Sequence, residues 1–297
     1  MKIAVMGAGA VGCYFGGMLA RAGHDTVLIG RRRHAEAIRR NGLRLDTALF
    51  SEQISLSAET SADAVRDADI VLCSVKTSDT AHAAAAMAPF LKPGTVVVSL
   101  QNGIENPDLL RRPLRHEIVP AAVYVATEMA GDGHVRHHGG GQLVIGRSAN
   151  SQRLAELFGG SGIPVDVSDN IAGVLWSKLV VNCAYNALSA ITGLPYARLV
   201  QQDGVERLLR EVVDECMAVA DKAGIVLHGD VWESVRRIPI AMPAQTSSTA
   251  QDLRLGRKTE IDHLNGFIVR KGGELGVPVP VNQSLLTLVK LLESRSP

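Results

Sequence analysis

The chain has 297 residues, 46% of them hydrophobic, with 31 basic against 30 acidic side chains. That apolar content excludes a disordered chain, and a net charge of +1 removes the electrostatic case for a polybasic nucleic-acid or membrane-surface protein. Aromatic residues, at 4%, are too few to build stacking platforms for single strands, so the expectation is a soluble globular protein without nucleic-acid or membrane partners.

In chain order, residues 2–6 read as a β-strand and 11–23 as a helix. Lys2 and the apolar run to Ala20 have the outline of a signal peptide, but Gly7, Gly9, Gly12, Gly16 and Gly17 would weaken a secretory helix. Strands follow at 26–29, 69–75 and 95–100, helices at 33–41 and 78–91, and a small hairpin at 43–45 and 54–56. Strands alternating with helices predict an α/β fold with a parallel sheet of right-handed βαβ units. Residues 117–125, 142–146 and 164–167 read as further strands. Between them His134, His137 and His138 sit among five glycines, which reads as a mobile loop, and no nearby cysteine or carboxylate pair completes a metal site. From about Ser168 the pattern turns helical, at 171–191, 204–223, 245–255, 260–275 and 285–292. No apolar run beyond the N-terminal one reaches the ~20 residues that span a bilayer. Cys13, Cys73, Cys183 and Cys216 are widely spaced in apolar stretches and read as small buried hydrophobes. Together these features favour a cytoplasmic protein.

Three segments carry chemistry. Gly7-Ala8-Gly9-Ala10-Val11-Gly12 follows the first strand and opens a helix. In that setting Gly7 permits a tight turn, Gly9 lets the backbone approach a pyrophosphate, and Gly12 lets the helix pack on the sheet. The helix N-terminus offers free N–H groups to phosphates, so a Rossmann dinucleotide-binding domain is expected over residues 1–168. At the end of the second strand, where an NAD site carries a carboxylate, the chain has Gly30-Arg31-Arg32-Arg33. Arg31 can fork onto a 2′-phosphate, which favours NADPH over NADH; the alternative is a solvated helix start. Lys76 and Asn102 also fall at strand ends facing the same crevice, although each reads equally as an ordinary helix start or turn.

In the helical second domain, residues 169–297, Lys178, Asn182 and Asn186 interrupt an apolar helix at a spacing of four, which places them on one face. Polar groups in apolar surroundings need partners or a cavity. One reading is a snorkelling lysine with core asparagines. The other is a proton donor beside substrate-binding amides, since a buried lysine can lose enough basicity to act as an acid near neutrality. A hydroxyl-rich stretch at 246–249, including Ser248, and Glu260 could complete such a site, or the hydroxyls could simply cap a helix.

These residues resemble the ketopantoate reductase (2-dehydropantoate 2-reductase) family nearly from end to end. The matching pieces are MKIAVMGAGAVG at the start, VKT at 75–77, QNG at 101–103, WSKLVVNCAYNALSAITG at 176–193, SSTAQDLRLGRKTEIDHLNGFIV at 247–269 and GVPVPVN at 276–282. The resemblance implies NADPH-dependent reduction of ketopantoate to D-pantoate, with Lys178 as general acid and Glu260 holding the substrate and supporting that lysine. It implies substrate contacts from Asn102, Asn182, Asn186 and Ser248, and cofactor contacts from residues 7–12, Arg31, Lys76 and Asn102. It further implies a site in the cleft between a Rossmann domain and a helical C-terminal domain. Gln245 and Tyr196 stand where some members have asparagine, which leaves open a reductase for a different 2-oxo acid. A nonenzymatic NADPH-binding redox sensor is the remote alternative. The apolar C-terminal helices leave room for a homodimer.

Overall fold

The structure is a computed structural model describing residues 1–295. Its contacts divide the chain into two compact units, Met1–Ile171 and Ala172–Pro297.

The first unit holds ten strands: β1 (Lys2–Met6), β2 (Asp25–Ile29), β3 (Leu43–Asp46), β4 (Ser51–Ile54), β5 (Ser57–Glu59), β6 (Ile70–Cys73), β7 (Val96–Ser99), β8 (Glu117–Gly131), β9 (His134–Gly146) and β10 (Val165–Ser168). Five helices accompany them: α1 (Ala10–Arg21), α2 (Arg32–Asn41), α3 (Thr80–Met87), α4 (Asn106–Arg111) and α5 (Ser151–Gly160). The strand order is β4-β3-β9-β8-β7-β6-β1-β2-β5, with β10 on β9. From β5 to β8 every pairing is parallel. Sequential order reverses between β1 and β6, the place where open α/β sheets bind ligands at their carboxyl ends. Alternation along each strand separates two cores. Ile3 and Val5 join Ile70, Leu72, Val96 and Val98 on one face, while Ala4, Val71, Cys73 and Val97 pack on the other. Being buried on both faces, these strands are continuous apolar runs, which is why they are so easily read from sequence.

The histidine segment is a strand, not a loop. β8 and β9 form a long antiparallel hairpin whose glycines are absorbed by register shifts, after Tyr124 and again after Ala126 and Met129. Its three histidines have separate partners: His134 bonds Asp46 at 2.6 Å, His137 stacks on Tyr14 with ring centroids 4.6 Å apart, and His138 lies 3.2 Å from Glu128.

The second unit is built of α6 (Ile171–Thr192, which begins in the first unit), α7 (Tyr196–Leu199), α8 (Val205–Lys222), α9 (Val231–Ala241), α10 (Ser248–Arg254), α11 (Asn265–Leu275) and α12 (Pro280–Glu293). Against the sequence expectation, α6 is long and apolar enough, by length and composition, to cross a membrane. Most of it is buried within the protein, as in a core helix, and it carries Lys178 and two asparagines. The stretch expected as one helix over 260–275 is broken: a 3-10 turn at Ile261–His263 precedes α11, and Leu264 between them has φ −109° and ψ −104°. The expected start at 245 moves to Ser248, because the Ser247 side chain accepts from the Ala250 N–H at 3.1 Å and caps the helix. All four cysteines are buried.

The first turn of α1 depends on a missing side chain. A Cβ on Gly12 would lie 2.1 Å from the Gly7 carbonyl oxygen and 2.5 Å from Ser74 Oγ. Gly12→Ala should therefore cost about 3 kcal/mol, the upper part of the overpacking range, read as a shift in a chemical denaturation midpoint.

Candidate active site

In the first unit, the glycine turn is held by the end of β2. The N–H groups of Gly7 and Ala8 both donate to the Ile29 carbonyl, at 3.0 and 2.9 Å. Ser74, just after β6, donates its hydroxyl to the Gly7 carbonyl at 2.8 Å. Gly7 is required twice over: φ is +114°, and a Cβ would lie 2.6 Å from the Val75 nitrogen. Gly9 differs. Its φ of −85° suits any residue, and a Cβ there would meet nothing within 4 Å. Among the described residues no packing demands a glycine at position 9, so the backbone there is open to close approach from outside the chain. The first N–H groups of α1, at Ala10, Val11 and Gly12, lack intrahelical acceptors as in any first turn. The turn thus fits a dinucleotide pyrophosphate.

Arg31 is the N-cap residue of α2 and is exposed, as are Arg32 and Arg33. No acidic residue occupies the first turn of that helix. Arg33 is paired with Asp132, while the side chains of Arg31 and Arg32 have no partner among the described residues. Two cationic forks therefore stand at the β2 end of the glycine turn.

Lys76 and Asn102 occupy the loops after β6 and β7, both half-buried. Residues not singled out from the sequence brace these loops. Asn106 Nδ2 donates to the Asn102 carbonyl at 2.7 Å and to Thr77 Oγ1 at 3.2 Å, while its Oδ1 accepts from Thr80 Oγ1 at 2.8 Å and Gln101 Nε2 at 3.2 Å. Gln101 Nε2 also reaches the Val75 carbonyl at 3.1 Å. All four residues of this network are buried. Gln101 belongs to the QNG segment, and the polar run of Thr77, Thr80 and Asn106 near apolar strand ends was the available signal.

In the second unit, Lys178, Asn182 and Asn186 lie on successive turns of α6 as their spacing predicts. Lys178 and Asn182 are half-buried and Asn186 is buried. Among the described residues neither asparagine uses its side-chain amide in a hydrogen bond, so both remain available. Burial pulls the Lys178 ammonium down to about 8, against the opposing pull of the Glu260 carboxylate. Ser248 is exposed at the start of α10. Its neighbour Ser247 is the structural serine, with its hydroxyl donating to the Asn186 carbonyl at 3.1 Å and its N–H donating to Ser189 Oγ at 3.0 Å. These bonds tie the serine pair to the same stretch of α6.

Glu260 is placed from behind. Thr259 donates its N–H and hydroxyl to Glu293 Oε1 at 2.8 and 2.6 Å, and Lys290 links Glu293 to Asp262 at 3.1 and 2.8 Å. Asn265 Nδ2 donates to the Cys183 carbonyl at 3.1 Å and to Asn282 Oδ1 at 2.9 Å, and Asn282 Nδ2 donates to Glu215 Oε2 at 2.8 Å. This buried chain joins α6, α11, α12 and α8. Asn265 and Asn282 lie inside the sequence segments that carried the resemblance, yet spacing alone did not mark them. Tyr196 packs edge-on against Tyr185 at 5.2 Å, and its N–H donates to the Gln245 carbonyl at 3.0 Å, so the two departures noted in the sequence are neighbours.

A Rossmann-like sheet with a glycine turn at its switch point, joined in one chain to a helical unit carrying a lysine of lowered basicity, defines a class of dinucleotide-dependent oxidoreductases. Residues 3–150 match the family model for ketopantoate reductase PanE/ApbA, and residues 170–293 match that for its C-terminal part. The 2-dehydropantoate 2-reductase of Archaeoglobus fulgidus is 31% identical over 99% of this chain and 98% of its own length. The chain belongs to the ketopantoate reductase family. The crystal structure of a PanE/ApbA family ketopantoate reductase from Ralstonia eutropha JMP134 is similar at TM-score 0.97 and 57% identity, covering 100% of this chain and 99% of that one. A D-mandelate dehydrogenase, solved as a ternary complex with NADH and anilino(oxo)acetate, is similar at TM-score 0.93 and 27% identity over 99% of each chain.

The bracing network carries its own test. Asn106→Ala removes four hydrogen bonds from a buried network and leaves the Thr80 hydroxyl without its acceptor, and should cost about 2–3 kcal/mol of stability. Hydrogen exchange should rise in the loops around Lys76 and Asn102.

Proposed function

We propose that the protein reduces a 2-oxo acid with NADPH, 2-dehydropantoate (ketopantoate) giving D-pantoate, with Lys178 as the general acid. The observation that carries this reading is the lysine of lowered basicity aligned with the uncommitted amides of Asn182 and Asn186. When bound, the cofactor supplies a hydride to the carbonyl carbon. The residues of the chain do the rest. Lys178 delivers a proton to the carbonyl oxygen and places positive charge where the alkoxide develops, the kind of stabilisation that contributes most to such barriers. Its lowered pKa brings proton donation close to neutral pH, where transfer is efficient. Glu260 holds the ammonium in place and offers an acceptor to a substrate hydroxyl. Asn102, Asn182, Asn186 and Ser248 are assigned to the substrate. Residues Gly7, Ala8, Gly9, Ala10, Val11 and Gly12 form the pyrophosphate cradle, with Arg31 assigned to the 2′-phosphate and Lys76 and Asn102 to the cofactor side. The protein is proposed to work in the cytoplasm on this small-molecule substrate.

A second reading keeps the chemistry and changes the acid. Tyr196, packed edge-on against Tyr185 and bonded to the Gln245 backbone, places an aromatic ring where some family members have an amide. The similarity to a D-mandelate dehydrogenase points to aromatic or other bulky 2-oxo acids as the panel to test beside ketopantoate.

Lys178→Ala should lower kcat by roughly 10²-fold or more while NADPH affinity is nearly kept. Because the protonated lysine is the active form in reduction, wild-type kcat/KM should be high at low pH and fall as pH rises through about 8. A flat profile in the absence of a masking step removes the lysine from the mechanism. Arg31→Ala should raise KM for NADPH by about tenfold, the scale of a lost charge-assisted bond, and spare KM for NADH. Oxidation of NADPH followed at 340 nm with ketopantoate and the panel separates the two substrate readings, and tight NADPH binding without turnover of any acid overturns both.

A further inference from the structure

His34 sits one turn into α2, between the two parts of the proposed nucleotide site. On one side its Nε2 lies 3.2 Å from Cys13 Sγ. Cys13 follows the last glycine of the turn, and its N–H donates to the Gly9 carbonyl at 2.8 Å. On the other side His34 Nδ1 accepts the Gly133 N–H at 2.9 Å. Gly133, with φ +68°, forms the tip of the β8–β9 hairpin, and its carbonyl accepts from the Arg44 N–H of β3 at 2.8 Å. The tip is seated directly on α2, since a Cβ on Gly133 would lie 3.3 Å from Ala37 Cβ. Asp132 beside it takes Arg33. The backbone N–H groups of His34 and Ala35 both donate to the Arg31 carbonyl at 3.0 Å, so whatever holds His34 holds the arginine turn.

The Gly133 contact fixes the protonation state of the ring. Nδ1 must be bare to accept from Gly133, which leaves the proton on Nε2, pointed at the Cys13 sulfur. A charged imidazolium would set N–H against N–H at Gly133. Burial lowers the basicity of the ring, against the opposing pull of Asp132, and favours the neutral form.

We propose that His34 is a positioning residue that sets the spacing between the glycine turn and the Arg31 turn, clamped from outside by the hairpin tip, and so contributes to the choice of NADPH over NADH. The proposal rests on the dinucleotide reading above. No contact between His34 and the cofactor is required: the imidazole joins α1, α2 and the hairpin, and Arg31 makes the contact. Without the imidazole, α2 keeps its helix and the core packing of Ala35 and Ile38 but loses this polar link to Cys13 of α1.

The test compares wild type, His34→Ala and His34→Asn, titrated with NADPH and with NADH by nucleotide fluorescence, alongside kcat at saturating NADPH. His34→Ala should reduce the NADPH-over-NADH preference by about fivefold, the scale of one or two lost hydrogen bonds, with kcat changed less than about twofold. In His34→Asn, Oδ1 can stand in for Nδ1 on the Gly133 N–H, and most of the preference should return. A folded His34→Ala that keeps the wild-type preference overturns the proposal. If that variant does not fold, Cys13→Ala removes the other contact without adding bulk to a buried site and should shift the preference in the same direction; an unchanged preference again overturns the proposal. Failure of wild type to bind either nucleotide overturns the dinucleotide reading itself, and binding of NADH with no preference for NADPH overturns the NADPH assignment; either outcome overturns the proposal too.

Discussion

At the carboxyl ends of β1 and β6, two stretches of backbone approach more closely than any side chain would allow. Gly7 lies against the Ser74–Val75 peptide, and Gly12 returns over the Gly7 carbonyl that Ser74 also bonds. This contact fixes the height at which α1 leaves the sheet and therefore where its first N–H groups stand. It also exposes Gly9 at the outer edge of the turn. Because Gly7 and Ala8 share the Ile29 carbonyl, the end of β2 is placed by the same contact. The loops after β6 and β7 are then held together by the buried amides of Asn106 and Gln101.

The second unit faces a different constraint. A helix as apolar as α6 gains by burial, but the polar side chains on it lose solvation when buried with it. Several polar groups in the unit find partners: Asn265 Nδ2 bonds to the α6 backbone at Cys183, Asn282 and Glu215 extend the chain, and Ser247 bonds at Asn186, whereas Asn265 Oδ1 is buried with none among the described residues. Lys178 carries a charge as well. Burial lowers its basicity and the Glu260 charge only partly restores it. The rigid network around α6 can hold a lysine in this state, where a mobile side chain would turn toward water.

Much of this was legible in the residues. The central strands declare themselves because they are buried on both faces, and the glycine turn because its spacing is set by backbone contact. The fourfold spacing of Lys178, Asn182 and Asn186 reads directly as one helix face. The histidine-rich strand did not read as a strand, since its glycines are exceptions to β propensity that only pairing with β8 and the register shifts accommodate. α9 escaped notice because Pro239 lies inside it. The break at Leu264 and the roles of Asn265 and Glu293 depend on partners tens of residues away, and no local pattern encodes those. The same holds for His34, whose two partners are 21 and 99 residues distant.

β8 belongs to two kinds of sheet. Residues 117–120 pair in parallel with β7 inside the doubly buried core, whereas residues from Ala121 onward pair antiparallel with β9. One extra residue in the first part would turn every following side chain to the opposite face. In the second part it would add one more bulge to a ladder that already contains three register shifts. Length changes among related chains should therefore collect beyond Ala121, where a further bulge takes up an added residue and the pairing on either side is kept.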